Sequence, residues 1–273
     1  MERTILGLDC EALVRDLRSL GIRAGDSVYA HTSMKRIGWI EGGAQTLLTA
    51  LLTCLGPEGT LAVPTHTVSF DRKAPYDPKM TPTGLGTFPN AVWRDPRALR
   101  SGHASHSCAA IGAKAAWLTE RHDPRHALGY DSPLHRLYRE GGRVLLLGVT
   151  YRACTALHLA ESLAAMPYVK LPYDASWGPE VFDLRPDGSV AAYAQSEFPG
   201  CSSAFDRIAP HLPGHAVRLG RVGGADAILA DIRPLVETAT AILHAKPDFF
   251  LCASEGCPCC PARHRLLGAP PQR

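Results

Sequence analysis

His158 and Glu161 stand three residues apart in the run Leu157-His158-Leu159-Ala160-Glu161. On a helix that spacing puts both side chains on one face, where a carboxylate can orient an imidazole and favour its taking up a proton. An imidazole held this way is suited to removing a proton from an attacking amine. A solvated surface pair has the same spacing, but Leu157, Leu159 and Ala160 make the stretch apolar nearly all round, which favours a buried pair. A second constellation, His31-Thr32-Ser33-Met34, follows a short apolar run and precedes Gly42-Gly43-Ala44. At the carboxyl end of a strand, such a turn suits phosphates, a pantetheine arm or an oxyanion, and it also fits ordinary turn polarity. A third, Arg100 to Ser107, packs His103, His106 and three serines into eight residues, as a site lining or a hydrogen-bonded loop would.

The fourth constellation is Cys252, Cys257, Cys259 and Cys260 with His264 four residues on. In a reducing compartment these are better read as a structural zinc site, using four of the five ligands, than as disulfides. The alternative is a reduced, mobile tail. Cys10, Cys54, Cys108, Cys154 and Cys201 sit singly and are expected to be core residues or free thiols. Cys154 lies near His158 in the chain, but position alone does not make a thiol reactive. The sequence has no G-x-S-x-G, G-x-G-x-x-G, Walker or H-E-x-x-H motif, so serine hydrolases, dinucleotide enzymes, P-loop enzymes and zincins all lack their signatures.

The elements that must position these groups follow from apolar periodicity. Leu13, Val14, Leu17 and Leu20 predict a helix over 9–21, and Ser27 to Ala30 a buried strand that delivers His31 to its carboxyl end. A helix opening at Gly42-Gly43 and closing at Gly56-Pro57, then a strand over 59–63, complete a β-α-β unit. The economical architecture is an α/β fold with a largely parallel sheet flanked by helices. Residues 66–100 are rich in Pro and Gly and are expected to form a long irregular segment. Further strands are expected at 143–149, 181–184 and around 192–193, and helices at 155–166 and 231–244. With 273 residues, 45% of them hydrophobic, one main domain over 1–245 and a short Cys-rich tail over 246–273 are expected. A net charge of +3 from scattered basic residues argues against a nucleic-acid or membrane surface. No stretch has the length of a signal h-region or of a membrane span, so the cytoplasm is the expected location. Oligomeric state leaves no signal in the sequence.

Taken in order, these pieces resemble the aminoglycoside 3-N-acetyltransferase family. The matching stretches are His31-Thr32-Ser33-Met34, Gly42-Gly43-Ala44-Gln45, Gly56 to Leu61, Tyr76-Asp77-Pro78, Thr81 to Gly86, Arg100-Ser101-Gly102-His103, Ser132-Pro133-Leu134, Leu157 to Glu161 and Gly220 to Gly223. The resemblance runs to about residue 245. It implies an α/β fold distinct from the Gcn5-related acetyltransferases, acetyl-coenzyme A as donor and an aminoglycoside as acceptor. It also implies that His158 is the base, Glu161 its partner and His31 a neighbour of the reacting groups. The His31 to Met34 turn, Gly42, Gly43, Ala44 and Ser107 would lie along the coenzyme. A polycationic acceptor needs carboxylates, for which Asp71, Asp77, Glu161, Asp174, Glu180 and Asp183 are the candidates. The chain departs from the family pattern at His103-Ala104, where His-Pro is usual, at Thr32-Ser33, where Ser-Ser is usual, and in its Cys-rich tail. Two other readings fit the same residues: an N-acetyltransferase for a different small amine, and a zinc-stabilised module that sequesters a cation.

Overall fold

The computed structural model describes residues 7–67, 74–174 and 179–268. Asp9 caps the first helix, α1 (Cys10–Leu20), by accepting the N–H of Ala12, and Gly21 ends it at φ 108°. The chain continues through β1 (Ser27–Thr32), the single turn α2 (Met34–Ile37), α3 (Gly43–Leu55) and β2 (Thr60–Pro64). Next come α4 (Thr87–Trp93), β3 (Leu99–Arg100), β4 (Cys108–Gly112), α5 (Ala115–Thr119), α6 (Pro133–Glu140) and β5 (Arg143–Leu147). The remainder is α7 (Ala156–Leu163), the hairpin β6 (Glu180–Leu184) and β7 (Val190–Ala194), then β8 (Val217–Val222), β9 (Ala225–Asp231), α8 (Ile232–Ala245) and α9 (Cys260–Leu267).

Seven strands form one mixed sheet in the order β3-β4-β2-β1-β5-β9-β8. Its centre, β2-β1-β5, is parallel, and β4 and β9 run against it on either side. The expected β-α-β unit is present as β1-α3-β2. The antiparallel β4 is an addition to the expected elements: Cys108 to Gly112 reads only as an apolar stretch in the sequence, yet it pairs along the whole of β2. The described part of residues 66–100 is also less irregular than the Pro and Gly content suggests. Phe88 and Val92 on α4 are fully buried against the α3 side of the sheet, and two apolar anchors one turn apart suffice to fix a short helix there.

Period-two alternation sorts the central strands between two cores. Val28, Ala30, Leu145 and Leu147 face α1, α3 and α4, while Tyr29, Val144 and Leu146 face α5 to α8. His31, two residues beyond Tyr29, therefore points to the α7 side, with its ring 5.3 Å from that of Tyr29. β5 ends at Leu147, two residues short of expectation, because Gly148 takes φ 68° and turns the chain toward α7. α7 stops at Leu163 rather than Met166, since Ala165 adopts φ 55° and the chain re-forms as a 3₁₀ turn at Pro167–Lys170. Beyond Ala245 the chain still packs on the α7–α8 core, to which Phe250, Leu251, Cys259 and Cys260 belong. Among the described residues no helix is long and apolar enough to cross a membrane.

Candidate active site

α7 is buried over Ala156 to Glu161, so His158 and Glu161 are interior rather than surface groups. His158 Nδ1–H donates to Glu161 Oε2 at 2.6 Å, and the Tyr168 hydroxyl donates to Oε1 at 3.2 Å. Both carboxylate oxygens are thus engaged, and the Glu161 side chain is 2% exposed. Burial, with Glu161 beside it, pushes the Tyr168 hydroxyl up, so it stays a donor. With Nδ1 committed to Glu161, Nε2 is the nitrogen left to the cavity in front of α7. The ring is braced from the side by Phe205, edge to face at 4.7 Å.

That cavity holds 220 Å³ and is lined by His158 and Thr155, by His66 and His106, and by Pro199 and Gly200 among others. It is smaller than the roughly 300–1,000 Å³ of pockets that enclose a drug-sized ligand, so it suits only the reacting end of one. His31 reaches the same place, with Nε2 3.3 Å from Thr155 Oγ1. Burial drives His31 and His66 down to about 3, and His106 also well down, so these rings are neutral. His106 Nδ1 is 2.8 Å from Ser105 Oγ, which in turn accepts from Gln195 Nε2 at 2.6 Å. The dense His and Ser run thus contributes His106 to the site. His66 and Tyr168 carry no local sequence signal: one follows β2 without a charged neighbour, and the other meets Glu161 across the break at Ala165.

A larger groove of 610 Å³ opens at the carboxyl ends of β1 and β5, lined by Arg36, Gly148, Thr150, Arg152, Ser202 and Asp206 among others. Ala153 lines this groove and Thr155 the cavity; Ser202 lines the groove and Gly200 the cavity. The two spaces therefore share two walls, one residue thick along the chain.

The other expected site residues divide. Thr32, Ser33 and Met34 are half-buried between β1 and α2, but the Ser33 N–H is bonded to the Leu147 carbonyl at 2.8 Å and is no free anion donor. Gly42 is exposed at φ 74°, the Gly43 N–H is taken by the Ile40 carbonyl, and Ala44 is buried. Ser107 presents no surface at all. It is fully buried, 2.9 Å from Thr65 Oγ1, and its hydroxyl takes the Arg100 Nε–H at 3.1 Å, so it ties the end of β2 to the start of β4. Asp77 and Asp183 line a separate 540 Å³ groove beside Tyr76 and Tyr193, and burial raises Asp183 to about 6. Glu180 is exposed at the start of β6, and Asp174 is half-buried next to Tyr173, which lines the His158 cavity. Asp71 lies outside the described residues.

The cysteine cluster differs from expectation in its members. The sulfurs of Cys201, Cys252, Cys257 and Cys260 lie within 4.8 Å of one another, and neither Cys259 nor His264 belongs to that group. Cys259 Sγ accepts the Cys201 N–H at 3.2 Å and lies 3.9 Å from Cys257 Sγ, and His264 Nε2 is bonded to the Cys252 carbonyl at 3.1 Å while its buried Nδ1 has no hydrogen-bond partner among the described residues.

The family model for aminoglycoside 3-N-acetyltransferase matches residues 30–244. The chain belongs to that family. It is 34% identical to aminoglycoside N(3)-acetyltransferase VII of Streptomyces paromomycinus over 86% of this chain and 91% of that one. It is 38% identical to aminoglycoside N(3)-acetyltransferase III from Salmonella sp. over 58% of this chain, a match that spans only 61% of that enzyme's length. Among solved structures it superposes on aminoglycoside acetyltransferase AAC(3)-IVa with a TM-score of 0.81 and 30% identity, over 97% of this chain and 99% of that one. A histidine-to-alanine mutant of that enzyme has been solved in complex with a gentamicin. The chain also resembles AAC-IIIb, solved as a binary complex with coenzyme A, at a TM-score of 0.77 and 27% identity over 88% and 97% of the two chains. The fold is that of the aminoglycoside 3-N-acetyltransferases, not the Gcn5-related one.

Proposed function

We propose that this family member transfers the acetyl group of acetyl-coenzyme A to the 3-amino group of an aminoglycoside, and so confers resistance, with His158 as general base. The observation that carries the reading is the pairing of His158 with the buried, doubly hydrogen-bonded Glu161 at the wall of the cavity. The cavity's other histidines, His66 and His106, are held neutral by burial.

His158 Nε2 takes the proton of the acceptor ammonium, and Glu161 compensates the imidazolium that forms. The neutral amine attacks the thioester carbonyl, the C–S bond breaks, the proton on Nε2 passes to the departing sulfur, and the nitrogen gives up its second proton to the freed Nε2 and from there to solvent, so that an acetamide, a free thiol and one released proton result. No cysteine is needed as nucleophile: burial pushes Cys154 up to about 12. The groove bearing Arg36 and Arg152 supplies charge for the coenzyme phosphates, and its shared walls bring the thioester toward His158. Asp77 and Asp183 supply charge for the remaining ammonium groups of the acceptor. The relatives named as N(3)-acetyltransferases and the coenzyme A complex of AAC-IIIb support donor and acceptor class alike. The reaction belongs in the cytoplasm, where acetyl-coenzyme A is made. A zinc ion takes no part in this chemistry; if the tail cysteines hold one, it is structural.

The test is incubation with acetyl-coenzyme A and a mixed panel of aminoglycosides and simpler amines, following thiol release and solving the product by NMR. One acetyl group on the 3-amine of an aminoglycoside is expected. Thiol release with only the non-aminoglycoside amines would move the enzyme to another acceptor.

A further inference from the structure

Four sulfurs from two distant stretches of chain meet behind the cavity wall. Those of Cys201, Cys252, Cys257 and Cys260 lie within 4.8 Å of one another, and the Cys201 and Cys252 sulfurs are 3.9 Å apart. A tetrahedral ion with Zn–S bonds of about 2.3 Å places its sulfurs about 3.8 Å from each other. The cluster therefore already has the span of a four-sulfur metal site. Three of the sulfurs also accept backbone N–H groups: Ser203 on Cys201 at 3.4 Å, Cys252 on Cys260 at 3.4 Å and Cys260 on Cys257 at 3.5 Å. Donors aimed at sulfur spread the negative charge of thiolates over the backbone, which four neutral thiols would not require.

We propose that Cys201, Cys252, Cys257 and Cys260 bind one zinc ion as a closed structural site. An all-sulfur donor set selects zinc or another thiophilic ion over calcium and magnesium, and four protein ligands leave no position for a substrate. The site joins two parts of the wall behind His158. Cys201 follows Pro199 and Gly200, which line the cavity, and Cys260 opens α9. From α9, the Arg263 guanidinium sits 5.3 Å from the Tyr168 ring and donates to the Leu171 and Phe198 carbonyls at 3.0 Å each. A side chain at Gly200 would run into that guanidinium, so the loop carrying Cys201 and the helix carrying Cys260 are in direct contact. The ion fastens α9 onto the cavity wall from behind, and Tyr168, the residue that holds Glu161, is packed by the fastened helix.

Elemental analysis of the full chain purified from zinc-supplemented cells without chelator tests the site. About one zinc per chain is expected in the parent protein and in Cys259→Ser, and less than about one-fifth of that in Cys201→Ser. Cobalt exchanged into the parent protein is expected to show the sulfur-to-metal charge transfer and strong d–d bands of a tetrahedral four-sulfur centre. A parent protein without stoichiometric metal overturns the proposal, as does a Cys201→Ser protein that keeps its full complement. Should Cys201→Ser fail to fold, the cobalt spectrum decides on the parent chain alone, and a centre with nitrogen in its donor set overturns the assignment. Metal content does not depend on the acetyl-transfer reading, so the two fail separately.

Discussion

The two walls of the cavity carry the same residue type and do opposite things with it. On the α7 wall, His158 gives one ring nitrogen to a buried carboxylate that is itself held by Tyr168. On the facing wall, the His66 and His106 rings lie 4.6 Å apart and tilted by 55°, His106 is bonded to the neutral Ser105, and burial keeps both unprotonated. Depth of burial does not distinguish the walls, for His31, Glu161 and His66 are all interior. A charged partner does: without a carboxylate, an interior imidazole cannot bear a proton at neutral pH and serves as a neutral hydrogen-bonding surface.

Breaking the α7 side has the largest expected effect. His158→Ala should lower kcat by about 10²-fold or more while coenzyme A affinity, measured by calorimetry, stays within a few-fold. Near-parental turnover would remove His158 from the proton path. Glu161→Gln should cost about 10-fold or more in kcat, because a neutral amide cannot compensate the imidazolium. An unchanged rate there would mean that orientation alone suffices. Tyr168→Phe is expected to lose only a few-fold in kcat, together with about 1–2 kcal/mol of stability for a buried hydrogen bond to a charged group, as read by urea denaturation. On the facing wall, His106→Asn should change kcat by less than about 5-fold. A fall as large as that of His158→Ala would erase the distinction between the walls.

The buried histidines without a carboxylate partner should instead appear in the pH dependence of stability: His66 on the facing wall, His31 beside Thr155, and His122, held between the Ser101 hydroxyl and the Ala127 carbonyl. His31, His66 and His122 are depressed to about 3, 3 and 4 by burial, below their unfolded value of 6.5. Their contribution is therefore fully present above that value and is lost as pH falls toward the folded values. Asp183, raised to about 6, works in the other direction between 3.8 and 6, since the folded form holds its proton there. These three histidines against one carboxyl leave a net loss toward acid of roughly 2–3 kcal/mol per pH unit between pH 6 and 4, and His106, also depressed by burial, adds to it. Urea midpoints that stay flat over that range would contradict the burial of these rings.

Local spacing makes part of this legible. The His158 and Glu161 pair, the β1-α3-β2 unit and the strand that carries His31 all depend on contacts within a turn or along one strand. The remainder depends on chain segments that meet only in the folded protein. Tyr168 reaches Glu161 because Ala165 breaks helical periodicity, and no pattern of apolar residues announces a left-handed residue. Cys201 joins the sulfur cluster from 51 residues before Cys252, while Cys259, within the cluster in sequence, lies outside the group of four. Ser107 sits in a polar run typical of binding loops, yet the antiparallel entry of β4 buries it against Thr65.

The tautomer of His158 tests the central claim most directly. Nitrogen-15 NMR of ring-labelled protein, with His158→Asn used to assign the signal, reports which nitrogen carries the proton when the ring is neutral. A proton on Nδ1, shared with Glu161, and a bare Nε2 are expected. A neutral ring protonated at Nε2 would leave no lone pair facing the acceptor amine, and His158 could not be its base.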